Sequence, residues 1–148
     1  MVNYKHPRPA LTVDIVLFKK MQGDIHVLLI KRAQSPYRGD FALPGGFVGI
    51  HEPLKAAAER ELKEETGIHS VELKQIKAFG TPGRDPRGRT VSIAYGAFLS
   101  SELDMDPRAA GDAQDAGWHP FSDLPALAFD HAEIIQTAFQ ALANQEED

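Results

Sequence analysis

Apolar positions along the chain fall into two patterns. The first is the short dense run: "LTVDIVLF" at 11–18 and "IHVLLIK" at 25–31 are rich in β-branched and large aliphatic residues. Such runs predict strands, and the turn-forming "KKMQGD" between them predicts a hairpin. A further piece, "FALPGGFV", is broken by Pro44, Gly45 and Gly46 and reads as strand, kink, strand; "VELKQIKAF" at 71–79 and "TVSIAYGAFL" at 90–99 predict two more strands. The second pattern is helical spacing. From Glu52 to Gly67 the residues are fair or good helix formers, with Pro53 suited to the first helical position and Gly67 to the C-cap. After Asp130, an N-cap residue, Ile134, Ile135, Ala138, Phe139 and Leu142 recur on one face. Strands, helix, strands, helix is not the regular alternation of a doubly wound fold. It predicts an α/β protein with a mixed sheet covered by helices.

Length and charge narrow this picture. The 148 residues suit one domain, 1–148, with one core. With 16 basic and 21 acidic residues the net charge is -5, which argues against a general nucleic-acid or anionic-membrane surface. The apolar runs fall short of the roughly 20 residues that span a bilayer, and "MVNYKHPRPA" has no signal-peptide core. Zero cysteines exclude disulfides, thiolate catalysis and Cys-ligated zinc. The expectation is a soluble, cytoplasmic protein with neither nucleic acid nor membrane as partner.

The chemistry concentrates in "GFVGIHEPLKAAAERELKEETGI", Gly46 to Ile68. On a helix, Glu61, Glu64 and Glu65 fall within an arc of roughly 100°. Each like-charge pair costs a few tenths of a kcal/mol, and the negative end of the helix dipole adds about 0.3–1 kcal/mol. A cation would remove both penalties, and carboxylates without His or Cys suit Mg²⁺ or Mn²⁺. Read alone, "ELKEE" is more simply a solvated helix face offset by Lys55, Arg60 and Lys63.

The register around it decides. Gly46, five residues, Glu52, seven residues, then "RELKEETGI" at 60–68 matches G, five residues, E, seven residues, R-E-U-x-E-E-x-G-U, with Leu62 and Ile68 at the bulky aliphatic positions. The chain therefore resembles the Nudix hydrolases. The resemblance implies a Nudix-type α/β/α sandwich with a mixed central sheet. It also implies Mg²⁺-dependent hydrolysis of a nucleoside diphosphate linked to another group, with Mn²⁺ as a substitute ion. Carried over to this sequence, Glu61 and Glu65 are the main metal ligands and Glu64 joins them. Gly46 brings a carbonyl close to the metal, and Glu52 and Arg60 orient the cluster.

The substrate must be read elsewhere. "TPGRDPRGRT" at 81–90 places Arg84, Arg87 and Arg89 in a Pro- and Gly-stiffened loop suited to phosphate or ribose oxygens. It resembles the corresponding segment of ADP-ribose pyrophosphatases, as does "LAFDHAEII" at 127–135; Pro82, 15 residues past Gly67, agrees. ADP-ribose cleaved to AMP and ribose 5-phosphate is the activity this implies. Phe41 is the first candidate to stack a base, with Tyr37 and Phe79 behind it, and His131 is either helix-start structure or part of the site. The catalytic base is Asp112, then Asp115, in "GDAQDAGW", or Glu64 of the box. Two other readings stand beside this one: a pyrophosphohydrolase that clears damaged nucleoside triphosphates, and a non-catalytic ADP-ribose-sensing domain. The complete box and a chain ending at Asp148 weigh against the sensor. Relatives of the ADP-ribose type are mostly dimers, so a homodimer is an implied partner state.

Overall fold

The structure, a computed structural model, describes residues 5–100, 106–108 and 113–146. Strands β1 (Ala10–Met21) and β2 (Asp24–Arg32) form the expected hairpin. Gln22 and Gly23 both have positive φ, 54° and 85°, the two-residue turn whose twist matches that of the flanking strands. Next come β3 (Phe41–Ala42), β4 (Gly45–Phe47), α1 (Leu54–Thr66), β5 (Lys74–Phe79), β6 (Thr90–Leu99), β7 (Ala113–Pro120), a 3₁₀ turn and α2 (His131–Glu146).

The sheet is mixed. β1 runs parallel to β6 from Ala10 opposite Thr90 to Lys19 opposite Leu99, and antiparallel to β2 and β4. β5 lies beyond β6, while β3 and β7 both pair with β2. The continuous apolar run of β1 follows from burial on both faces. Val13, Ile15 and Leu17 pack with Ala57, Ala58 and Leu62 of α1, whereas Val16 and Phe18 pack with Ile134, Ile135, Ala138 and Leu142 of α2. The result is the expected α/β/α sandwich. Among the described residues no helix is long and apolar enough to cross a membrane.

Three local expectations need correction. The strand predicted over 71–79 begins at Lys74, because Val71 and Leu73 leave the sheet to pack against the core beneath α1. Pro53 is the N-cap of α1, with extended ψ of 149°, and the first helical residue is Leu54. Residues 113–120, not among the predicted strands, form β7 along β2. Unpaired backbone groups of β2 recruit this polar segment through main-chain bonds, which side-chain patterning does not report.

Candidate active site

The Gly67 C-cap, with φ of 77°, ends α1 just past its acidic face. Glu65 is buried, at 7% exposure, and accepts a hydrogen bond from the Gly45 N–H at 2.9 Å. Arg60 gathers the rest. It donates to Glu52 at 2.6 and 2.9 Å, to Glu61 at 2.8 Å, to Glu64 at 3.2 Å and to the Phe47 carbonyl at 3.1 Å. This contact holds the Glu52 carboxyl down at about 2. Burial, reinforced by the negative Glu61 and Asp14, pushes Glu65 up to about 8 against the opposing Gly45 hydrogen bond. Burial raises Glu61 as well, opposed by Arg60.

These residues meet the chemical requirements of a hard divalent cation. The donors are all oxygens, and a buried carboxylate disfavoured as an anion is relieved by a cation. A Cβ on Gly46 would lie 2.5 Å from the Glu61 carboxyl, so the backbone approaches this carboxylate as closely as glycine alone permits. Among the described residues no three His, Asp or Glu side chains already form a metal-ligand cluster, and Arg60 occupies oxygens of Glu61 and Glu64.

Glu61, Glu64 and Glu65 line one cleft of ≈ 450 Å³, together with Gly45, Gly46, Asp14, Arg32, Phe47, Arg84, Asp85, Arg87, Phe129 and His131. The arginine loop is organised by buried Asp85, which accepts bonds from the Arg87 backbone and guanidinium at 2.8–3.1 Å. Burial opposes ionisation of Asp85, but these bonds outweigh it and keep its carboxyl below the usual range. Arg84 is buried against Asp130 through two bonds, 2.9 and 2.6 Å, with Asp14 at 3.9 Å. Arg87 is 42% exposed, its guanidinium 5.3 Å from the Phe47 ring centre and 5.5 Å from that of Phe129. Arg32 lies 5.1 Å from the Phe129 ring.

Phe129, Asp130 and His131 deliver three successive side chains to the cleft region. Phe129 has φ of 53°, a left-handed conformation rarely adopted by a bulky residue. Strain of this kind costs about 1–3 kcal/mol and clusters at functional sites. His131 is buried, accepting from the Leu43 N–H at 3.0 Å and lying 3.4 Å from Asp14. Burial holds its imidazole below the usual histidine range against the pull of Asp14 and Asp130.

The NUDIX domain family model matches residues 8–138. The chain belongs to the Nudix family. This Nudix hydrolase is 41% identical over 133 residues to the ADP-ribose pyrophosphatase of Methanocaldococcus jannaschii, covering 90% of this chain and 73% of that one. It is 36% identical to the ADPR responsive transcriptional repressor NtrR of Acinetobacter baylyi, covering 95% of this chain but 57% of the repressor. The NUDIX domain of Shewanella oneidensis NrtR, solved in complex with ADP ribose, superimposes with a TM-score of 0.85 at 32% identity, covering 93% of each chain.

The Nudix cleft sorts the residues expected from sequence. It contains Gly46, Glu61, Glu64, Glu65, Arg84 and Arg87, with Arg60 behind the acids. Arg89 lies outside its lining and donates to the Gly80 carbonyl. Phe41 also lies outside, because its ring packs edge-on to His119, 4.7 Å away, and joins the core under α2. Tyr37 meets Phe129 edge-on at 4.8 Å, and Phe79 is buried. Asp115 sits in β7 and caps the Ala116 N–H, while Asp112 lies outside the described residues. Sequence reasoning passed over Asp14, Arg32, Phe47, Asp85 and Phe129. Asp85 and Phe129 lie inside segments already singled out, whereas Asp14 was hidden as one polar residue in an apolar strand.

Proposed function

We propose that this Nudix hydrolase cleaves ADP-ribose, with water, to AMP and ribose 5-phosphate, and that Mg²⁺ is its ion. The observation that carries this reading is one cleft lined both by a carboxylate cluster and by arginines and aromatic rings. Glu61 and Glu65, with Glu64 and the Gly46 carbonyl, would hold the ion, which supplies charge neutralisation of the diphosphate and a more acidic water. Arg60 keeps Glu52, Glu61 and Glu64 in register. Arg87, the more exposed guanidinium, meets phosphate or ribose oxygens, while Arg84 braces the loop on Asp130. Phe47 and Phe129 offer the aromatic faces for a base. Glu64, 56% exposed and bonded to Arg60 at 3.2 Å, is placed to accept a proton from water. The likeness to the M. jannaschii pyrophosphatase supports the substrate.

A second reading, ADP-ribose binding without turnover, draws on the likeness to the NtrR repressor. Incubation with ADP-ribose, NADH, diadenosine polyphosphates and deoxynucleoside triphosphates, with and without Mg²⁺, separates the possibilities. Mg²⁺-dependent AMP from ADP-ribose is the expected result. Tight ADP-ribose binding with no turnover would favour the sensor, and pyrophosphate from a triphosphate alone would favour nucleotide-pool clearance.

A further inference from the structure

His131 is a buried side chain of the cleft that the proposed chemistry does not use. Its two ring nitrogens have different partners. The Leu43 N–H donates to Nδ1 at 3.0 Å, so Nδ1 carries no proton; the neutral ring has its proton on Nε2, 3.4 Å from Asp14 Oδ1. Leu43 begins the segment that reaches the acids. The next two residues are tied in other directions: the Pro44 carbonyl accepts from the Ile15 N–H at 2.8 Å, and the Gly45 N–H donates to Glu65 at 2.9 Å. Gly46 follows, against Glu61. One end of this short segment is therefore held by α2 and the other by α1.

Asp14 completes the frame. It lies opposite Gly45 in the β1–β4 register, accepts a bond from the buried Ser92 hydroxyl and approaches Arg84. His131 thus adds a side-chain tie two residues beyond the place where Phe41 bridges Leu127 and its carbonyl accepts from the Ala128 N–H at 2.9 Å. Leu43 lies at the kink between β3 and β4, where its N–H has left the strand ladder and takes the His131 ring as its acceptor.

We infer that His131 is a positioning residue: through Nδ1 and the Leu43 N–H it holds the Leu43–Gly46 segment where Gly45 and Gly46 meet the acidic face of α1. Its consequence for metal binding rests on the proposed cation site; its geometry does not.

The test separates the two nitrogens. In H131N the amide oxygen reaches the Nδ1 position and keeps the Leu43 bond, losing Asp14. In H131Q the amide reaches the Nε2 position and keeps Asp14, losing Leu43. In metal-free protein, exchange of the Leu43 amide should accelerate at least roughly tenfold in H131Q and stay near wild type in H131N. Mn²⁺ affinity, read by paramagnetic resonance without turnover, should weaken about tenfold or more in H131Q, with H131N close to wild type. In turnover, kcat should fall in H131Q with KM for ADP-ribose held. Equal behaviour of the two variants, the reverse order, or a matching loss of global stability in both would overturn the inference. Failure of wild-type protein to bind Mn²⁺ would refute the cation site, and Leu43 exchange would still decide the role of His131.

Discussion

Arg84 donates to Asp130 through Nε at 2.9 Å and Nη2 at 2.6 Å, joining the arginine loop to the start of α2. The pair is nearly buried, with side-chain exposures of 5% and 19%, whereas the Arg87 guanidinium is 42% exposed. Breaking a buried pair leaves a charge uncompensated and costs about 3–5 kcal/mol. Urea denaturation of Arg84→Ala should show a loss near the lower end of that range. Arg87→Ala removes two guanidinium bonds from buried Asp85, so it should cost about 1–3 kcal/mol and raise KM for ADP-ribose roughly tenfold. Arg89→Ala should leave KM unchanged.

Adjacent glycines should respond differently to alanine. At Gly45 a Cβ would meet the Val13 carbonyl at 2.2 Å, and a paired β-strand backbone cannot move away cheaply. At Gly46 it would meet the end of the Glu61 side chain, which can rotate. Gly45→Ala should lower Tm by several degrees, a loss of about 1 kcal/mol or more. Gly46→Ala should keep Tm but raise the Mg²⁺ concentration needed for half-maximal activity about tenfold or more.

Two carboxylates give the metal-free protein opposite pH responses. Glu65 is raised from 4.5 to about 8, so the folded state holds a proton the unfolded chain has released; its stabilisation is complete below 4.5 and is lost as pH rises towards 8. Glu52 is lowered from 4.5 to about 2, so its contribution is present above 4.5 and is lost as pH falls towards 2. His119 and His131, both held below 6.5 by burial, act in the opposite direction at lower pH, so metal-free Tm should decline between about pH 6.5 and pH 8. Glu65→Gln should flatten that decline and raise Tm at pH 8, while turnover falls by orders of magnitude. Retention of near wild-type activity would remove Glu65 from the metal site. Mg²⁺ should restore wild-type Tm at pH 8 by binding the folded state, and a chelator should reverse it.

The left-handed Phe129 keeps its ring beside Arg32 and Arg87 despite the backbone strain. Phe129→Leu retains apolar bulk without the aromatic face. It should alter stability by less than about 1.5 kcal/mol and raise KM for ADP-ribose several-fold, measured by AMP release at saturating Mg²⁺. An unchanged KM would mean that Phe129 serves packing alone.

Local period and register account for much of this protein. The β1 run, the hairpin turn, the α1 limits at Gly67 and the stripe Ile134, Ile135, Ala138 and Leu142 follow from side-chain pattern and glycine conformation. Glu61, Glu64 and Glu65 share a face because helical geometry places them there, and their spacing from Gly46 and Glu52 marks the family before any contact is known. The division among the arginines came from packing: Arg84 against Asp130, Arg87 beside Phe47 and Phe129, and Arg89 on the Gly80 carbonyl. Packing also sent Phe41 to the core and brought Phe129, Asp14 and His131 to the cleft. Sequence distance separates the two cases. Leu43 and His131 are 88 residues apart and Arg84 and Asp130 are 46, so their meeting is set by how the sheet and α2 pack.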